Sequence, residues 1–173
     1  GANVVLIIVE SLASEFIKRL NGKELGYTPF VDSLIAKSFV FENAYANGHR
    51  SIEGIAAATA SIPTLMYEPY STSRYAGNKI NSIASLLRED GYYTSFMHGG
   101  NKNSMNFESF AGQAGYNLFY DRDDYPFPDE HYDGVWGISD HYMLNHCVEK
   151  YSEYESPFFS TIFTLSSHHP YTI

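Results

Sequence analysis

"NVVLIIVES", residues 3–11, decides the fold. Seven uncharged residues, six of them apolar and mostly β-branched, run straight into the carboxylate of Glu10 and the hydroxyl of Ser11. So continuous an apolar run reads as a fully buried parallel strand. An acid at its end is a solvated helix-start group stabilised by a dipole, a cap, or a metal ligand. Functional groups of open α/β sheets gather beyond the carboxyl ends of the strands. The reading of Glu10 therefore turns on the residues at the ends of the other strands.

The same alternation continues along the chain. Thr28-Pro29 opens a helix with an N-cap residue and a proline at the first helical position. "SFVFENAYA" (38–46) reads as a second strand. "SIEGIAAAT" (51–59) is a helix beginning at Ser51. Ile80, Ile83, Leu86 and Leu87 mark an amphipathic helix closed by Gly91. "YYTSFMH" (92–98) is a strand, followed by a helix near 104–114 and a short strand at "YNLFY". Ser139 caps a helix with the stripe Met143, Cys147, Val148 and Tyr151, and "PFFSTIFTLS" (157–166) is the last strand. "YDRDDYPFPDEHYDG" (120–134) is a long surface loop over or near the site. Strands alternating with helices at this spacing predict one α/β domain with a mostly parallel sheet.

Composition narrows the function classes. The chain has 173 residues, 44% hydrophobic and 16% aromatic, enough for one domain with a real core. Its net charge is −9, with 11 basic residues and no basic run, which speaks against nucleic-acid binding. Cys147 is the single cysteine, so no internal disulfide can form. No apolar run reaches the length of a membrane helix, and no signal peptide is visible. The chain closes on "SHHPYTI" and reads as part of a longer protein.

Four groups fall at strand or helix ends. Glu10-Ser11 follows the first strand. His98, then Gly99-Gly100-Asn101, follows the strand at 92–98. Ser166-Ser167-His168-His169 follows the last. "NGHRSIEG" places Ser51 at a helix N-terminus, after His49 and Arg50. Each has a plain structural alternative: Ser51 as an N-cap, His98 as a hydrogen-bonded strand-end histidine, His168-His169 as loop residues. A parallel sheet would bring all four to one edge. A hydroxyl at a helix N-terminus also sees N–H groups and a positive dipole end, which favour an incoming anion. Asp140-His141 reads as helix capping rather than a metal pair. Asp121, Asp123 and Asp124 lack the glycine and closing glutamate of a calcium loop. Cys147 reads as core, and Trp136 either lines the site or packs.

In their order and form, "NVVLIIVESL", "TPFVDSLIAKSFVFENAYA", "GHRSIEG", "FMHGGNKNSMNF" and "FFSTIFTLSSHHPY" resemble the lipoteichoic acid synthase and phosphoglycerol transferase branch of the sulfatase and alkaline phosphatase superfamily. The resemblance spans the chain. It implies a three-layer α/β/α sandwich, alkaline phosphatase/sulfatase-like, with residues 1–173 as the N-terminal portion of one truncated catalytic domain. It also implies a metal-dependent transfer of a phosphoglycerol or related head group from a phospholipid or glycerol-phosphate donor to a glycan or polymer acceptor. Carried over by position, Ser51 is the nucleophile. Glu10 and Ser51 hold the metal, Mn²⁺ or Mg²⁺. His98, His168, Arg50 and Asn101 contact substrate. Such a catalytic domain lies outside the cytoplasm, on a parent anchored in the membrane, with no nucleic-acid partner.

Two departures accompany the likeness. Gram-positive members of the branch carry Trp and Arg seven and nine residues after the histidine, where this chain has Met105 and Phe107. The branch completes its metal site with an Asp-His pair downstream of "SSHHPY", which places the remaining ligands beyond Ile173. A sulfatase or phosphodiesterase is the alternative reading, although "SIPTL" (61–65) has Leu65 where a sulfatase segment needs Arg. A non-catalytic relative is the third.

Overall fold

The computed structural model describes residues 1–155 and 157–171, so the final "TI" of "SHHPYTI" lies outside the described residues. Two compact units emerge: Gly1–Glu10 with Asn47–Ile173, and Ser11–Ala46.

The larger unit is built on four parallel strands in the order β1-β4-β2-β3. They are β1 (Val4–Ile8), β2 (Tyr93–His98), β3 (Leu118–Tyr120) and β4 (Phe158–Phe163). In register, Ile8 pairs with Phe163 and Phe163 with His98. The carboxyl ends of β1, β4 and β2 therefore lie side by side, as α/β topology requires for a shared site.

Side-chain alternation assigns the strands' two faces. Phe96, Phe159 and Phe163 enter one cluster with Ile52, Ile55, Ala84, Phe107 and Phe110. Met97 and Ile162, one position out of phase, enter a second with Ile138, Met143 and Cys147. The first cluster holds α3 (Ser51–Ala60), α4 (Ile83–Glu89) and α5 (Phe107–Gln113); the second holds α6 (Asp140–Tyr151). This is the expected three-layer α/β/α arrangement. Gly91, at φ +85° just past α4, supplies the left-handed residue that ends that helix.

Three expectations need correction. The strand β1 is parallel but not fully buried: Val4, Val5 and Ile7 are 41%, 41% and 51% exposed. Among the described residues it is an edge strand with β4 as its neighbour. Residues 38–46 form no strand; Phe39 and Tyr45 are 100% and 90% exposed. Propensity alone makes no strand without a partner edge, and no strand among the described residues pairs with this segment. In α6 the buried stripe is Met143, Leu144, Cys147 and Tyr151, while Val148 faces solvent.

The smaller unit contains α1 (Lys18–Asn21) and α2 (Pro29–Ile35). Asp32 accepts the Arg19 backbone N–H at 2.8 Å, and Asn21 donates to the carbonyls of Glu15 and Leu25. Gly22, at φ +67°, ends α1. No helix among the described residues is long and apolar enough to cross a membrane.

Candidate functional site

Glu10 follows β1 and is 8% exposed. Its backbone N–H donates to the Thr164 hydroxyl at 2.9 Å, and Thr164 N–H donates to the Ile8 carbonyl, which ties the ends of β1 and β4 together. The Glu10 carboxylate accepts a hydrogen bond from the Ser51 hydroxyl. The N-cap reading of Ser51 does not hold. Arg50 takes the N-cap position of α3, Ser51 is the first helical residue, and its hydroxyl is turned to Glu10 rather than to its own helix.

Glu53 sets this geometry. It is buried in the first turn, and both carboxylate oxygens are committed. Oε2 accepts the backbone N–H groups of His49 and Arg50 at 3.0 and 3.1 Å. Oε1 accepts from Nε and Nη2 of Arg50 at 3.1 and 2.6 Å. The Arg50 side chain is the largest influence holding the Glu53 carboxyl below its ordinary value. A Cβ at residue 48 would meet the Glu53 Cβ at 2.6 Å, so the approach to this clamp requires Gly48. Glu53 is a structural acid whose partners come from the loop before its own helix.

His98 ends β2 and is 4% exposed. Its Nδ1 lies 3.1 Å from the Phe163 carbonyl, and its ring stacks on Phe163 and meets the edge of Phe107. Burial pushes the imidazole below its ordinary value, against the opposing pull of the Phe163 carbonyl and Glu10. His98 is thus held neutral at neutral pH.

His168 is half-buried on the loop after β4. Asp140, at the start of α6, anchors that loop: its carboxylate accepts the N–H groups of Leu165 and Ser166 at 2.8 and 2.9 Å, and its own N–H donates to the Ser166 hydroxyl. The Asp140 carboxylate thus reaches across to the loop after β4 instead of capping its own helix. Ser139 occupies the N-cap position without a side-chain cap bond. Asp121 and Asp124 cap a short 3₁₀ turn at Arg122–Asp124.

A cleft of about 510 Å³ brings Glu10, His49, Arg50, Ser51 and His168 together with Met105. A recess of about 30 Å³ joins Glu10 and His168 to His98, Met105 and Trp136. Five of the six predicted residues, Glu10, Arg50, Ser51, His98 and His168, thus line these two adjoining cavities. Arg50 lines the cleft, but its guanidinium is bound to Glu53. Asn101 is exposed and lines neither cavity. Phe107 is 1% exposed in the core, so it has no access to a substrate.

Glu10 and Ser51 offer a carboxylate and a hydroxyl oxygen, the donor chemistry that hard divalent cations take. They make up only part of the roughly six-ligand shell such an ion prefers. Among the described residues no group of three or more His, Cys, Asp or Glu could hold a metal.

The family profile described as Sulfatase matches residues 2–173. The chain belongs to the sulfatase family. The lipoteichoic acid synthase-like protein YvgJ of Bacillus subtilis is 28% identical over all of this chain, which spans 28% of that relative. A solved protein of the alkaline phosphatase superfamily from Vibrio parahaemolyticus is 34% identical, with a TM-score of 0.88 over 99% of this chain and 42% of that one. The lipoteichoic acid synthase LtaP of Listeria monocytogenes has the same fold, with a TM-score of 0.84 at 21% identity over 99% of this chain and 42% of that one. The chain spans less than half the length of each of these relatives. The family's reach from residue 2 to residue 173 takes in both compact units.

Proposed function

We propose that this chain carries the nucleophile side of a metal-dependent phosphoglycerol-type transferase site. The carrying observation is the Ser51–Glu10 hydrogen bond at the N-terminus of α3, inside a cleft also walled by His168. Ser51 attacks the phosphorus of a lipid-linked phosphodiester. The Ser51 Oγ–P bond forms, the bond to the lipid oxygen breaks, and the proton released by Ser51 is balanced by the one the departing lipid oxygen takes up as it leaves as an alcohol. An acceptor hydroxyl of a glycan or polymer then attacks phosphorus and restores Ser51. The first-turn N–H groups and dipole of α3 favour the phosphate oxygens.

Glu10 and Ser51 would hold Mn²⁺ or Mg²⁺, which lowers the hydroxyl pKa and neutralises phosphate charge. The Arg50 guanidinium is paired with Glu53, so the neutralising of phosphate charge in this cleft falls to such a cation. We assign the remaining ligands to residues beyond Ile173 and read residues 1–173 as the N-terminal portion of one catalytic domain. Likeness to lipoteichoic acid synthases supports an extracytoplasmic site on a membrane-anchored parent. His98 and His168 contact the phosphate or its head group.

The test is mass spectrometry of Ser51→Ala in the full-length protein incubated with donor lipid. The wild type is expected to accumulate a phosphoglycerol adduct on the peptide carrying Ser51, and the variant none. An adduct that survives the substitution removes Ser51 from this role. Release of free glycerol phosphate with no acceptor dependence assigns the site to a hydrolase instead.

A further inference from the structure

A second large cleft lies at the start of β2, away from Ser51. Tyr93, Tyr120 and Tyr154, with Glu153 and Glu155, line about 570 Å³. None of these residues lines the cleft or the recess around Ser51. Tyr93 opens β2 and His98 closes it, so five strand steps, about 16 Å, separate the two.

The fold sets the three rings. Tyr93 is in phase with Met97 on the α6 face of the sheet, and Tyr120, the register partner of Met97, comes to the same face from β3. Just past α6, the Tyr154 ring meets that of Tyr93 at 4.6 Å and 55°, and packs at 76° against Phe158. The Tyr93 N–H donates to the Pro157 carbonyl at 2.9 Å. Tyr151, the last residue of α6, donates its hydroxyl to Ser160 at 2.8 Å, which holds the end of the helix on the sheet. All three tyrosines of the cleft are half-buried, so each is packed and still leaves part of its ring exposed.

The charges here are uneven. Lys150 donates to both oxygens of Glu153 at 3.2 and 3.1 Å, which neutralises that carboxylate. No ion pair among the described residues includes Glu155. The wall therefore offers electron-rich ring faces and one uncompensated carboxylate, on a chain of net charge −9. That field disfavours phosphate and other anions. Among the described residues no group of three or more His, Cys, Asp or Glu could hold a metal, so a bare divalent ion lacks its shell here. An organic cation matches both features. Ring faces attract a cation within about 6 Å of their centres, and the carboxylate supplies the counter-charge.

We propose that this cleft is a binding site for an alkylammonium group, held by the ring faces of Tyr93, Tyr120 and Tyr154 and by the Glu155 carboxylate. The site is independent of Ser51 and of the reaction read for it.

The test is an NMR titration of the full-length protein with choline and with 3,3-dimethylbutan-1-ol, its neutral isostere. Choline is expected to bind about fivefold more tightly, the factor for a cation on partly exposed rings. Tyr93→Leu is expected to bring choline down to the level of the alcohol, and Tyr93→Phe, which keeps a ring face, to retain the preference. Glu155→Gln, at an exposed position, is expected to weaken choline about two- to threefold and leave the alcohol unchanged. Should Tyr93→Leu fail to fold, the Glu155→Gln titrations decide alone. Flotation with phosphatidylcholine vesicles separates the sources of the ammonium group. Co-flotation that Tyr93→Leu abolishes assigns it to a lipid, and choline binding without flotation assigns it to a soluble amine; either supports the site. Equal affinity for choline and the alcohol, no binding of choline, or a preference unchanged in both Tyr93→Leu and Glu155→Gln overturns the proposal and leaves the Ser51 reading standing.

Discussion

The carboxylate of Asp140 accepts the backbone N–H of Leu165 at 2.8 Å and that of Ser166 at 2.9 Å, and so ties the start of α6 to the loop that carries His168. Hydrogen bonds to a charged acceptor contribute about 1.5–3 kcal/mol each when desolvated. Asp140 is partly exposed, so Asp140→Ala is expected to destabilise the fold by about 2–4 kcal/mol. Urea denaturation midpoints of the two proteins measure it. Glycerol phosphate affinity should fall in parallel, since the His168 loop loses its anchor.

Glu53→Gln tests the clamp under Ser51. The amide keeps one acceptor oxygen and loses the ion pair with Arg50. Misplacement of the hydroxyl is expected to slow adduct formation on Ser51 by about tenfold or more. Quenched-flow labelling with donor lipid reads that rate. The Glu53 carboxyl sits below its ordinary 4.5 in the folded chain. Its contribution to stability is therefore fully present above 4.5 and is lost as pH falls through the lowered folded value. The acid limb of a stability profile should flatten in Glu53→Gln.

Cys147 is 2% exposed, and burial pushes its thiol up to about 12. At pH 8 the thiolate fraction is about 10⁻⁴, so a disulfide reagent should leave the native thiol unmodified and react on unfolding. The linkage runs the other way from Glu53. Below the ordinary value of 9.0 the group is protonated in both states; as pH rises above 9.0 the unfolded chain ionises first and stability falls. Cys147→Ala should remove that alkaline component.

Phe107→Arg tests whether this position, packed beside His98, can take a cation. Phe107 is 1% exposed and packs on Phe96, His98 and Phe163. An unpaired guanidinium in that core is expected to destabilise by about 4 kcal/mol or more. Thermal melts check this, and no gain in head-group affinity should accompany the change.

Strand and site positions were legible where one residue's local pattern carries the information. The apolar runs around Phe96 and Phe159, the glycine after α4, and Ser51 at a helix start emerge from periodicity and turn chemistry. Glu53 and Asp140 did not, and Trp136 stood open between lining the site and packing, because their roles depend on partners brought in by the fold. Asp140 meets Leu165 and Ser166 only after β4 has crossed the sheet, and Trp136 meets His168 only through the Gly100–Gly137 bridge. The segment 38–46 failed in the opposite sense. Its alternating pattern is strand-like, but a pattern cannot state whether a hydrogen-bonding edge is present.

The exposure of β1 has a practical consequence for handling the protein. "VVLII" contains no charge and no proline, and on the side away from β4 it faces no other strand among the described residues. Such an edge is a ready template for intermolecular strand addition, and nothing within those five residues blunts it. Concentration should therefore drive this chain toward oligomers through β1, and a lysine at Val5 or Ile7 would act as a gatekeeper that keeps it monodisperse.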